Sequence, residues 1–236
     1  RVGAGIQMTP NAMKVLRGLG LEARLRKTAF QSPAGISREW DTGTVTNELP
    51  MGDEIEARYG APYLFMHRAD LHAILHGAVA ADGIRLDAKC TSVRHDGRRA
   101  FLGFADGNVV ECDAVIGADG IHSVVRDSIL GPSSPRFTGN ICWRGIVPAA
   151  ALPPGLIARD VNVWLGPKGH IVHYYVRGGE AVNFVAVYEA DTWRGESWTT
   201  VADRSELTTT FAGWHDSLLQ LFSRAERVNK WALHDR

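Results

Sequence analysis

A chain of 236 residues, 45% of them hydrophobic, is long enough for one large domain or two small ones and has the composition of a globular protein. Its 26 Lys and Arg balance 26 Asp and Glu, so no net field draws it to nucleic acid or to a charged membrane surface. Three widely separated cysteines (Cys90, Cys112, Cys142) offer neither a disulfide framework nor a metal-ligand spacing, and no apolar run is long enough for a transmembrane helix. A reducing cytoplasm is the expected compartment, with no metal and no membrane or nucleic-acid partner.

In chain order, the opening Arg1-Val2-Gly3-Ala4-Gly5-Ile6 has no methionine and starts mid-motif, and the chain reads as an internal fragment. Thr9-Pro10 marks a helix start, Thr as N-cap and Pro at the first helical position. Ala12, Val15, Leu16 and Leu19 fall on one helical face before Gly20 ends it, and a second short helix covers Glu22 to Lys27. Residues 32–62 are turn-rich, with only weakly marked strands. Asp70 is placed to cap the next helix, whose buried stripe is Leu71, Ile74, Leu75 and Ala78, with Asp82-Gly83 as its end. Three extended runs follow, Ile84 to Arg94, Ala100 to Phe104 and Asn108 to Cys112, separated by the hairpin dipeptides Asp96-Gly97 and Asp106-Gly107. This meander feeds Ala114-Val115-Ile116, a continuous apolar run expected to be a strand buried on both faces. Gly117-Ala118-Asp119-Gly120 turns the chain into a helix capped by Ser123 and stopped by Gly131.

After Pro135 the runs become rich in Trp, Tyr, Val and Phe: Ile141 to Val147, Val161 to Leu165, His170 to Arg177 and Ala181 to Glu189, the last two joined by Gly178-Gly179. They predict a second, mostly antiparallel sheet, followed by helices over Arg204 to Ala212 and Ser217 to Ala225. In the third run His170, Val172 and Tyr174 share one strand face, and His173 and Tyr175 the other. Trp143 and Trp164 are assigned to the core.

The string from Asp113 to Arg126 resembles the Asp-Gly fingerprint of the flavin-dependent aromatic hydroxylases, the para-hydroxybenzoate hydroxylase superfamily. Three further segments carry the same resemblance in the same order: Val2 to Ala12, His67 to His72, and Cys142-Trp143-Arg144-Gly145. The pattern is most similar to the family's branches that hydroxylate 6-hydroxynicotinate, salicylate and 3-hydroxybenzoate. The resemblance implies an α/β fold with mixed α+β character. Residues 1–135 would be part of a glutathione-reductase-like FAD-binding domain with a β-meander and a substrate-side excursion around 32–62. Residues 136–236 would form a substrate domain, and the family's N-terminal glycine-rich loop and C-terminal Gly-Asp segment are absent from the chain.

The resemblance also implies a reaction. Reduced FAD takes up O₂ to form a C4a-hydroperoxide, NADH or NADPH supplies the electrons, and oxygen passes to a small hydroxylated aromatic or heteroaromatic acid. The protein orients the ring and excludes water. By position, Arg68, Cys90, Asp119 and Gly120 are implied cofactor contacts, a guanidinium suiting phosphate and ribose oxygens. Gln7 is implied to reach both flavin and substrate, where the 6-hydroxynicotinate branch carries a histidine base; glutamine takes up no proton near neutral pH. His170 and Tyr174 match a His and a Tyr four residues apart that line the substrate pocket, His170 as base or hydroxyl partner and Tyr174 as orienter. His170 also reads as a solvent-facing histidine at a strand start, and Arg144 either as a carboxylate partner or as a brace. Rival readings are a reductase or epoxidase of the same superfamily, or a non-catalytic fragment that holds no flavin. A homodimer is the expectation for assembly.

Overall fold

The computed structural model describes residues 4–191 and 200–236, and the expected cofactor-side segment at Val2 and Gly3 lies partly outside them. The chain divides into two compact units, 1–78 with 139–232, and 79–138 with 233–236.

In the first unit, β1 (Gly5–Met8) pairs antiparallel with β4 (Leu64–His67), Gly5 opposite His67 and Gln7 opposite Phe65. The alternate residues turn the other way. Met8, Leu64 and Met66 join Met13, Leu16, Leu21, Leu25, Leu71 and Ile74 in one apolar cluster. Those residues come from α1 (Pro10–Gly18), α2 (Glu22–Thr28) and α4 (Arg68–His76). Thr9 is the residue before α1, as expected, but its hydroxyl makes no cap bond and turns instead to Asn11. The buried stripe of α1 is also rotated from the expected one. Met13 and Leu16 are covered while Val15 and Leu19 face solvent, because the strand pair behind the helix sets which face is covered. Likewise α4 begins one turn earlier than expected and ends at Gly77, with Leu75 exposed.

The main sheet has seven strands in the order β12-β8-β11-β10-β9-β2-β3. They are β2 (Ala34–Glu39), β3 (Val45–Pro50), β8 (Arg136–Pro148), β9 (Val161–Gly166), β10 (Gly169–Val176), β11 (Ala181–Glu189) and β12 (Val228–Asp235). The strands β8, β11, β10 and β9 are antiparallel neighbours, as expected. The turn-rich segment supplies more order than its composition suggested. β2 enters this sheet parallel to β9, β3 closes the edge, and α3 (Asp53–Tyr59) follows. β12 was not foreseen. Helices α6 (Arg204–Thr210) and α7 (Asp216–Ser223) cover one sheet face with Leu207, Phe211, Leu218, Leu221 and Phe222, against Trp143 and Phe184. Trp143 and Trp164 are both core residues.

The second unit holds the meander β5 (Cys90–His95), β6 (Ala100–Phe104) and β7 (Val109–Cys112), turning at Gly97 and Gly107, both at positive φ. Its first run is shorter than expected, residues 84–89 lying outside the ladder. Ala114-Val115-Ile116 is not a buried strand: it has no ladder partner among the described residues, and Ile116 is 92% exposed. An apolar run forms a strand only where another strand pairs its backbone groups. α5 (Val124–Leu130) is capped as expected, Ser123 Oγ accepting from the Arg126 N–H at 2.9 Å, and Gly131 closes it at positive φ.

Candidate functional site

The register of β10 against β11 sets Tyr174 opposite Asn183, on the sheet face away from α6 and α7. His170 and Val172 alternate onto this face from β10, and Arg144 reaches it from β8 opposite Val185. His170 and Tyr174 are four positions apart along the strand, roughly 13 Å of backbone, so the two side chains can flank a ring but do not share one atom of it.

Strand β1 lies directly on this face. The Gly5 N–H donates to Asn183 Oδ1 at 2.7 Å. A Cβ at Gly5 would sit 2.6 Å from Asn183 Cγ and from Tyr174 Cε2 and Oη, so only glycine permits the approach. Phe65 follows on the same side of the strand pair, its ring 4.9 Å from that of Tyr174 and 5.1 Å from that of Tyr63. Tyr63 Oη donates to Gln7 Oε1 at 2.6 Å. Asn183 is fully buried, and its Nδ2 has no partner among the described residues. A buried amide donor without an acceptor is costly.

The electrostatics separate the two strand residues. Burial pushes the Tyr174 phenol well above its ordinary range, against the pull of Arg144 and Gln7, so it remains a protonated donor at neutral pH. Burial moves His170 the other way, below 6.5, which keeps its imidazole neutral and able to accept a proton. Arg144 stacks over the Trp231 ring at 4.5 Å, its Nε buried and without a hydrogen-bond partner among the described residues. Burial raises the neighbouring Cys142 thiol to about 11, so it is no nucleophile.

Arg68 opens α4 with its backbone N–H on Ala4 O at 2.8 Å; its side chain is exposed and its guanidinium has no partner among the described residues. In the second unit, the Asp119 carboxylate accepts from Ser123 Oγ and from the backbone N–H groups of Val124 (2.7 Å) and Val125 (3.2 Å). The Ser123 bond first, then those backbone bonds, hold it below the usual carboxylate range. Its first task is to fix the turn into α5, while Gly120 beside it takes φ +83°. Cys90 starts β5 with its Sγ 3.4 Å from Ser92 O.

Tyr174, Gln7 and His170 therefore lie on the sheet face and on the strand pair of the first unit, with Arg68 at the end of that pair, whereas Cys90, Asp119 and Gly120 belong to the second. Gly5, Tyr63, Phe65 and Asn183 were missed in the sequence. Asn183 carried a signal, as the single polar residue in the apolar run Ala181 to Val187.

Residues 3–209 match the FAD binding domain family. The chain belongs to that family. It is 38% identical over 235 residues to the 3-amino-4-hydroxybenzoate 2-monooxygenase of Streptomyces cremeus, covering 100% of this chain and 58% of the relative. Identity is 35% to the 6-hydroxynicotinate 3-monooxygenase of Bordetella bronchiseptica, over 100% of this chain and 62% of that protein. The chain thus spans about 60% of the length of such relatives. In fold it is similar to HpxO of Klebsiella pneumoniae, solved with FAD and uric acid, with a TM-score of 0.86 at 22% identity over 100% of this chain and 60% of that one. It also resembles a salicylate hydroxylase substrate complex, with a TM-score of 0.84 at 23% identity over 98% and 61% of the two chains. The α/β fold expected from the sequence is the fold found.

Proposed function

We infer that the protein carrying this chain is an FAD-dependent monooxygenase that hydroxylates a small hydroxylated aromatic or heteroaromatic acid, with NADH or NADPH and O₂ as co-substrates. The observation that carries the reading is the corner where Gly5, Tyr174 and Asn183 meet on the face that also holds His170, in a chain of the FAD binding domain family. The flavin, when bound, supplies the oxygen-transfer chemistry.

The residues present fit that group. Arg68 has a guanidinium with donors to spare for phosphate or ribose oxygens, and Gly120 takes a backbone conformation that side chains rarely adopt. Asp119 braces that loop, and Cys90 contributes backbone on the same unit. Gln7 stands at the boundary of cofactor and substrate, its amide oxygen held by Tyr63.

On the substrate side, His170 takes the proton of a ring hydroxyl, which makes the ring easier to attack. Tyr174 stays protonated and orients the substrate by donating. Aromatic walls from Phe65 and Tyr63 exclude water. Because glutamine stands at position 7, proton removal falls to His170.

The test is substrate-stimulated NAD(P)H oxidation by the flavin-loaded full-length protein. The panel is 3-amino-4-hydroxybenzoate, 6-hydroxynicotinate, 3-hydroxybenzoate and salicylate, with product analysis. A hydroxylated product supports the reading. NAD(P)H oxidation with no hydroxylated product from any of the four refutes it in favour of a reductase.

A further inference from the structure

The opposite face of the same sheet holds a cavity that hydroxylation does not use. The registers of β9 with β10 and with β2 put Asn162, Trp164, His173 and Arg38 together there, away from Tyr174 and Asn183. The cavity measures about 210 Å³ and is bordered by Arg38, Trp164, His173 and Ser217, with Leu156 and Ile157 as an apolar wall. Among the described residues no Asp or Glu lines it.

Most of its polar groups are paired with one another or with backbone, and Arg38 keeps one donor to spare. Arg38 donates from Nε to Asn162 Oδ1 (2.7 Å) and from Nη1 to Gly43 O (2.9 Å). That leaves Nη2 without a hydrogen bond, and the guanidinium has no carboxylate within ion-pair distance among the described residues. Trp164 Nε1 donates to His173 Nε2 at 2.9 Å. A neutral imidazole that accepts at Nε2 carries its proton at Nδ1. His173 is only 2% exposed, and its Nδ1 has no partner among the described residues. The hydroxyl and backbone N–H of Ser217 are both engaged with His215 Nδ1, at 2.8 and 3.3 Å.

A partly buried positive charge with no counter-charge is unfavourable as it stands. An anion beside Arg38 relieves it. The space far exceeds the share of a single water, about 30 Å³, and its apolar wall favours an anion with a hydrocarbon part over a bare halide. We propose that this cavity is a binding site for a small monocarboxylate, its carboxylate accepting from Arg38 Nη2 and its tail lying against Leu156 and Ile157. The site lies on the sheet face opposite Tyr174 and Asn183.

The experiment is calorimetric titration of the flavin-loaded full-length protein with propionate and with its uncharged analogue propionamide, alongside a crystal structure in propionate. Expected are binding of propionate but not of propionamide, a roughly tenfold or greater loss of affinity in Arg38→Gln, and density for the acid in the cavity. Tyr174→Phe, on the other face, leaves propionate affinity unchanged. Equal binding of acid and amide, or cavity density for water alone with propionate only on the Tyr174 face, overturns the proposal. The crystal structure of the wild-type protein decides the matter even if Arg38→Gln does not fold.

Discussion

Replacing Gly5 by alanine tests the corner on which the functional reading rests. The new Cβ meets Asn183 Cγ and Tyr174 Cε2 and Oη at 2.6 Å, and these neighbours belong to a fully packed pair of strands. Overpacking of this kind costs about 1–3 kcal/mol. Moving β1 away to relieve it lengthens the Gly5 N–H to Asn183 bond, now 2.7 Å, worth about 0.5–1.5 kcal/mol net. Alanine returns about 0.4–1 kcal/mol by stiffening the unfolded chain. The balance is a destabilisation of about 0.5–4 kcal/mol. Denaturant titration and thermal melts of the full-length protein measure it. Activity should fall further than stability, since the displaced atoms include the Tyr174 hydroxyl. Gly5→Ala with stability within about 0.5 kcal/mol of wild type and unchanged kcat/KM would show that β1 does not press on Tyr174, and the reasoning would fail.

Three other outcomes are expected. His170→Gln removes the acid limb of the kcat/KM profile: the neutral imidazole is the active form and burial lowers its pKa, so wild-type activity falls as pH drops below a value under 6.5; an unchanged limb in the variant rules His170 out as the base. Burial first, then the Arg38 charge, hold His173 to about 3, so between pH 6.5 and 3 the unfolded chain binds a proton that the folded one refuses. That stability is complete above about 6.5 and is lost on acidification at up to about tenfold in the folding constant per pH unit; urea midpoints against pH for wild type and His173→Asn measure it, the variant being less acid-sensitive. Arg68→Gln weakens FAD affinity roughly tenfold to a hundredfold by flavin fluorescence titration, with the circular dichroism spectrum retained; equal affinity removes Arg68 from the cofactor site.

Much of this protein was legible residue by residue. The Thr9-Pro10 start, the Ser123 cap, the Asp-Gly hairpins and the alternation along β10 and β11 are local choices. Backbone geometry and side-chain period settle them within a few residues, so the chain states them directly. His170 and Tyr174 on one face and His173 on the other follow from the same period. What neighbours supply had to await the tertiary structure. Val15 and Leu19 are apolar yet exposed, because the β1–β4 pair determines which side of α1 is covered. Ala114 to Ile116 look like a buried strand yet lie open, since a strand is completed by the ladder beside it. β2 joins β9 in parallel across more than 120 residues of sequence, bringing Arg38 to a histidine that local pattern could not connect to it. Gly5 meets Asn183 in the same way, across 178 residues. Periodicity assigns each side chain a face; only the packed sheet decides what that face touches.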